Sequence, residues 1–206
     1  MRLWMRWPWP WPTPGPLTPW GLRHSGGPLT STIEEVKTVV LGPRPAELEQ
    51  LIERRRAQGS DTFDEVWEGA YHLAPAPRFR HAYLDNALAV LLDPYVRAAR
   101  LIGSGPFNLG QADDFRVPDR GLHRQVVDAV FLETAAVVVE IVSPDDQTYE
   151  KLPFYADHRV EELLIVDPEE RRVRIFMLEG GAYAETGHSA LLGVDGSTLE
   201  AAISWP

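Results

Sequence analysis

The 206-residue chain contains no cysteine, which excludes disulfides and thiolate-bound metal from its chemistry. Lysine is almost absent: Lys37 and Lys151 are the only two, and arginine supplies every other permanently cationic side chain. No apolar run approaches the ~20 residues a membrane-spanning helix needs, so the reading is a soluble, cytoplasmic protein with no membrane partner. A glycine-rich phosphate loop and an H-E-x-x-H pair are also missing, which leaves nucleotide-driven and zinc-protease chemistry without support. Positive charge is in deficit, with 20 Lys+Arg against 30 Asp+Glu and a net charge of −10. Phosphate backbones are bound mainly through Lys and Arg, so nucleic acid would have to be met by local clusters rather than by a global field. Arg54-Arg55-Arg56, Arg78 with Arg80, and Arg171-Arg172 are such clusters, although each also reads as a solvated face.

What is present is unevenly distributed. Five of the seven tryptophans stand at positions 4, 7, 9, 11 and 20, among closely spaced prolines. Proline removes backbone donors and favours an extended chain, so residues 1–35 are expected to be a disordered or extended tail. Prolines interrupt any apolar core a secretory signal would need. Val36-Lys37 resembles the start of a compact bacterial protein, and the tail is then expected to be upstream sequence read in frame. Residues 36–206 form the expected single domain, of a length that can bury a real core.

Within the domain, Leu48, Leu51 and Ile52 predict a helix over 44–58, stopped at Gly59. Residues 63–73 predict a strand pair turning near Glu68-Gly69. Leu84, Leu88, Leu91 and Leu92 lie on one stripe of a helix over 79–92. Asp93-Pro94 then reads as the cap and first residue of a separate short helix ending near Ala99. Short strands are expected at 107–109 and 114–117, and a short strand or loop edge at 126–132. Residues 135–142 form the clearest strand, an apolar run fitting a position covered on both faces. Pro153 can sit only in the first turn of a helix, so the next helix is expected to start at 149–152. Strands at 161–166 and 173–178 and a hairpin at Gly180-Gly181 complete a mixed α/β order.

Glu140 interrupts the clearest strand. An unpaired buried carboxylate costs several kcal/mol or is forced neutral, so it needs a metal ion or a lysine, and Lys151 follows at the start of the next helix. Hydrolysis of a phosphodiester requires charge stabilised on phosphoryl oxygens and an activated water. A hard cation held by carboxylates supplies much of this. Asp119, in Pro118-Asp119, and Glu140 are the candidate ligands, joined by the backbone carbonyl of Ile141. Lys151 is a compact ammonium suited to orienting water. Each residue also has a plainer reading: Asp119 as a turn residue, Glu140 as an edge carboxylate, Lys151 as a solvated helix residue. Ser143 and Asp145-Asp146 are expected to cap the next helix and Tyr155 to pack the core. His123, His158 and His188 show no ligand spacing.

The set Pro118-Asp119, VVVEIVSP with Glu140 and Ser143, EKLPFYA with Lys151 and Tyr155, and EELLIVDP resembles the Uma-two type of restriction endonuclease, within the PD-(D/E)XK nuclease superfamily. Upstream, DEVWEGAYHLAPAPRFRH, with Glu65, Gly69 and His81, resembles that family's opening hairpin and helix start. The resemblance implies a restriction-endonuclease-like core, a central mixed sheet flanked by helices, and Mg²⁺ as the usual metal, with Mn²⁺ as a substitute. It implies Asp119 and Glu140 as acidic ligands and Lys151 as the catalytic lysine; as accessory residues, His81 reads either as a metal-site orienter or as a structural or solvent-facing histidine at a helix start, and Glu65 either as part of the acidic cluster or as a surface carboxylate. One departure stands out: two residues after the acid, where the superfamily's basic form has lysine, this chain has Val142. The expectation is a metal-dependent endonuclease acting on nucleic acid, DNA before RNA, as a homodimer if it cuts both strands. The alternatives are a catalytically inactive interaction or regulatory module on the same fold, and hydrolysis of another phosphoester.

Overall fold

The computed structural model describes residues 38–40, 45–144 and 147–206. The expected tail and the capping role of Asp145-Asp146 lie outside these residues. In chain order the elements are β1 (Thr38–Val40), α1 (Ala46–Ala57), β2 (Glu65–Trp67), β3 (Ala70–Leu73), α2 (Phe79–Ala98) and β4 (Ile102–Ser104). Next come β5 (Asn108–Gln111), β6 (Asp114–Arg116), β7 (Arg120–His123), β8 (Phe131–Leu132) and β9 (Val137–Ile141). A 3₁₀ turn (Thr148–Lys151) leads into α3 (Leu152–Asp157), followed by β10 (Glu162–Asp167), β11 (Arg172–Glu179), β12 (Ala182–Glu185), β13 (His188–Ser189), β14 (Val194–Asp195) and α4 (Gly196–Ala202). No helix among the described residues is long and apolar enough to cross a membrane.

The architecture is mixed α/β, as expected, with the strands divided between two six-stranded sheets. One has the order β1-β3-β2-β6-β5-β8, the other β12-β11-β10-β9-β7-β4, and β13 pairs with β14 apart from both. In the second sheet β9 and β10 are parallel, joined through α3, while β7 pairs antiparallel with β9 on its other side. This central position explains the apolar run: all five residues of β9 are buried.

Side chains alternate across a strand, and β9 divides accordingly. Val137, Val139 and Ile141 join Leu84, Leu88, Leu92 and Val96 of α2 in the largest core cluster. Val138 joins Phe154 and Tyr155 of α3 and Leu163 of β10 in a second cluster on the opposite face. Glu140 has the parity of Val138, so it faces the α3 side. A third cluster places Ile52 of α1 against Val66, Tyr71 and Phe115 of the first sheet and Val117 just after β6.

The hairpins form where the turn chemistry puts them. Glu68 and Gly69 both have positive φ, 49° and 83°, the geometry of a two-residue hairpin loop whose twist matches its strands. Gly110, at φ 117°, allows close packing: a Cβ there would lie 2.9 Å from Phe154 Cζ and closer still to the Asp114 carbonyl. Arg55 ties α1 to this region by a two-bond pair with Asp64, at 2.8 and 2.6 Å, and by a bond to the Ala74 carbonyl.

The expected break at Asp93-Pro94 does not occur, and α2 runs through Pro94 to Ala98. Pro94 costs one backbone bond, to Val90, but Val90 is solvent-exposed and water can satisfy its carbonyl. The buried stripe Leu84, Leu88, Leu92 and Val96 holds the helix on the sheet along its length. Asp93 does not cap a new helix; its carboxylate pairs with Arg97 at 2.8 Å, one turn on.

Candidate active site

The two sheets meet at a cleft, and each supplies one buried glutamate to it. Glu140 comes from β9 and Glu65 from β2, both less than a tenth exposed. Asp119 immediately precedes β7, whose ladder with β9 begins at Arg120 opposite Val139. One residue earlier, the Asp119 side chain takes over from the ladder: its Oδ2 accepts the Ile141 N–H at 2.7 Å. Arg120 anchors the corner to α2 by pairing with Asp85 at 2.7 Å.

Lys151 arrives from the 3₁₀ turn that follows β9. Its ammonium lies 2.9 Å from Glu65 Oε1 and 3.1 Å from Glu140 Oε1. Val142 stands two residues after Glu140, and the cation reaches the strand end from the next helical segment. Pro153 in the first turn of α3 marks where that segment starts. The plainer readings of Glu140 as a water-facing edge residue and Lys151 as a solvated one are overturned by their burial and pairing.

Glu65 is held on both oxygens. Oε1 accepts the Val117 N–H at 2.8 Å as well as the lysine, and Oε2 accepts Trp67 Nε1–H at 2.7 Å. His81, in the first turn of α2, contacts Asp119 Oδ1 through Nε2 at 2.9 Å and Ser143 Oγ through Nδ1 at 3.2 Å. Ser143 therefore sits against His81 rather than at a helix cap, and the 3₁₀ turn has no side-chain cap. Tyr155 packs the core as expected and also donates its hydroxyl hydrogen bond to Glu140 Oε1, a role the apolar context of EKLPFYA gives no sign of. The described histidines outside the site are used elsewhere: His123 meets Ser104, His158 stacks on Phe154, and His188 pairs with Asp195.

Arg116 is a second feature without a sequence signal. It is buried, with its guanidinium 4.4 Å from the Trp67 ring and 4.0 Å from the Phe154 ring. It donates to the Val66 carbonyl and pairs with Asp114, both at 2.8 Å. The stacking braces the Glu65 strand against the helix that follows Lys151.

Charge in the cleft is unbalanced, with Glu65, Asp119 and Glu140 facing one ammonium. Burial pushes the Glu140 carboxyl up to about 7; Lys151 and the Tyr155 hydrogen bond oppose this, and the negative charges of Asp119 and Glu65 add to it. Burial and the neighbouring carboxylates also push the Tyr155 phenol well above its ordinary range, which keeps it a donor.

A hard cation fits this donor chemistry. Asp119 and Glu140 offer oxygen ligands, the Ile141 main chain lies beside them, and the excess negative charge would be relieved. Among the described residues no group of three or more His, Asp or Glu side chains forms a ready-made metal cage. Such a cation would therefore complete its shell with main-chain and water oxygens, as Mg²⁺ commonly does.

The cleft has two connected parts. An inner pocket of about 130 Å³ is lined by Glu65, Asp119, Glu140 and Lys151. An outer one of about 240 Å³ opens beside it, sharing Phe63, His81, Asp119 and Ile141.

Residues 45–204 match the family described as Uma2, "Putative restriction endonuclease". Among solved structures, the chain is similar to a "putative nuclease belonging to DUF820" from Anabaena variabilis, at 17% identity and a TM-score of 0.56. The similarity covers 68% of this chain and 90% of that one, and at this identity it bears on the fold. No curated protein matches.

Proposed function

Since the chain belongs to the Uma2 family, which spans most of its length, we propose that it is a Mg²⁺-dependent endonuclease of the PD-(D/E)XK type, with Mn²⁺ as a substitute and DNA as substrate. The observation that carries this reading is the position of Lys151. It stands within 3.1 Å of Glu140 at the end of β9, filling the role left vacant by Val142. Asp119, Glu140 and the Ile141 carbonyl are the groups that would hold the metal. When bound, it would stabilise charge on the phosphoryl oxygens and acidify water.

The chain's own residues do the rest. Lys151 orients the attacking water and balances charge on the phosphate. Glu65 and Glu140 hold the ammonium between them, and Tyr155 fixes the Glu140 carboxyl. His81 holds Asp119 from the side opposite Ile141, a positioning contact of the kind that orients metal ligands. Water adds to phosphorus, the bond to the leaving deoxyribose oxygen breaks, and a proton ends on that oxygen.

Glu140→Ala and Lys151→Ala are each expected to lower Mg²⁺-dependent cleavage of DNA on the order of 10³-fold, with an unchanged circular dichroism spectrum. Equal cleavage by wild type and both variants would refute the assignment. A second reading, an inactive module on the same fold, has one observation in its favour: Lys151 already closes on two carboxylates, so the site is internally neutralised in part. Calorimetric titration separates the two, since Mg²⁺ or Mn²⁺ binding that depends on Asp119 and Glu140 is expected of the nuclease alone.

A further inference from the structure

The outer part of the cleft has no task in phosphodiester hydrolysis itself. Its walls are Phe63, Pro75, Ala76, Pro77, Pro144 and Pro168, its floor is Leu84 with Val142, and Arg78 and Arg80 stand at its rim. At about 240 Å³ it lies below the ~300–1,000 Å³ of pockets for drug-sized ligands, a scale that suits one flat group. It shares Phe63, His81, Asp119 and Ile141 with the inner pocket, so an occupant of one is one short covalent span from the other.

We propose that this outer cleft receives the base of the nucleotide adjoining the scissile phosphate, and that the substrate is therefore nucleic acid unpaired at that position. The proposal rests on the nuclease reading of the inner pocket and names its substrate class. Apolar, proline-faced walls suit the flat face of a base, which stacks without regard to sequence. In a duplex that face is covered by its neighbours, and the base must leave the stack to reach a pocket.

The rim supports the same occupant. Arg78 and Arg80 line the cleft, and Phe79, between them in sequence but beyond the cleft lining, is 86% exposed with its ring 6.5 Å from that of Tyr83. Alternating cations and an exposed aromatic are the groups that single strands use for backbone and base contacts. Arg80 is paired with Glu169 at 2.6 Å, but both partners are exposed. Such pairs contribute little, so a phosphate can take the guanidinium over.

The test uses the full chain and two oligonucleotides identical except at one unpaired position, which carries either 2-aminopurine or an abasic sugar. With Glu140→Gln protein, binding is read by anisotropy and base entry by the 2-aminopurine fluorescence. The base-bearing strand is expected to bind roughly tenfold more tightly than the abasic one, with a fluorescence change. Ala76→Trp, which fills the cleft from an exposed loop position, is expected to abolish both the preference and the change. Equal affinity for the two strands, or a preference that survives Ala76→Trp, overturns the subsite. Cleavage by wild type is measured separately: base-dependent binding without any cleavage would overturn the nuclease reading and leave the subsite standing.

Discussion

Two neighbouring parallel strands, β9 and β10, each carry one buried glutamate, and the two side chains have opposite uses. Glu140 is 5% exposed and Glu162 2%. In the register of the sheet Glu162 lies opposite Val137, and Glu140 lies opposite Ile165, so the two glutamates have opposite parity and project from opposite faces. Glu162 accepts hydrogen bonds from the Ser189 hydroxyl and from the Leu191 N–H at 3.0 Å. Its partners are neutral and it lines neither part of the cleft. Glu140 has a lysine and a phenol as partners, two further carboxylates nearby, and a cleft in front of it. A buried acid saturated by neutral donors is a structural fastening, whereas one surrounded by uncompensated charge beside a cavity is a candidate for chemistry.

The sharpest test exchanges the two. Glu162→Ala is expected to leave the per-molecule cleavage rate of the folded protein within about twofold of wild type, while Glu140→Ala loses it on the order of 10³-fold. If both variants lost cleavage alike while folded, the contrast between the strands would fail. Glu162→Ala is expected to act on stability instead: it leaves the Ser189 hydroxyl and the Leu191 N–H without this acceptor and opens a cavity, for a cost of about 2–4 kcal/mol by urea denaturation. A loss no larger than that of an exposed substitution would remove Glu162 from the structural role.

A smaller effect is expected at His81, which contacts Asp119. His81→Ala should weaken Mg²⁺ binding by roughly tenfold without altering the overall fold, as read by calorimetry and circular dichroism. Unchanged metal affinity would reduce His81 to a packing residue.

The smallest effect is one of pH. Because burial raises the Glu140 carboxyl from 4.5 to about 7, the folded protein holds a proton there that the unfolded chain has already released. This contribution to stability is complete below pH 4.5 and is lost as pH rises through about 7. Metal-free wild type is therefore expected to lose stability between about pH 4.5 and 7 relative to Glu140→Gln. Parallel pH profiles for the two proteins would contradict the burial argument.

How much of this was legible in the sequence varies by feature. The apolar run of β9 with its single acid, the positive-φ turn at Glu68-Gly69 and the helix start near Pro153 are local patterns, and they appear where the residues predict them. Asp93-Pro94 misled because its local chemistry says cap while the leucine stripe continues on both sides, and tertiary burial of that stripe outweighs one lost backbone bond. The division of the strands into two sheets was not legible, because short strands such as β4, β7 and β8 carry too few residues for a period. Tyr155 looked like core because a phenol and a phenyl ring share the same apolar spacing, and the partner of its hydroxyl is fifteen residues away.

The sequence by itself determined the inventory: two lysines, no thiols, one acid in a strand covered on both faces, and a family pattern running through Glu65, His81, Asp119, Glu140 and Lys151. Only the tertiary structure decided how these residues meet. The parallel crossover from β9 through α3 to β10 brings Lys151 back to the end of the strand it left, and the first sheet sets Glu65 on its far side. The reason is distance along the chain. Local spacing dictates which face a side chain takes, but contacts between Glu65, Asp119, Glu140 and Lys151 span up to 86 positions of sequence and exist only once the two sheets have packed.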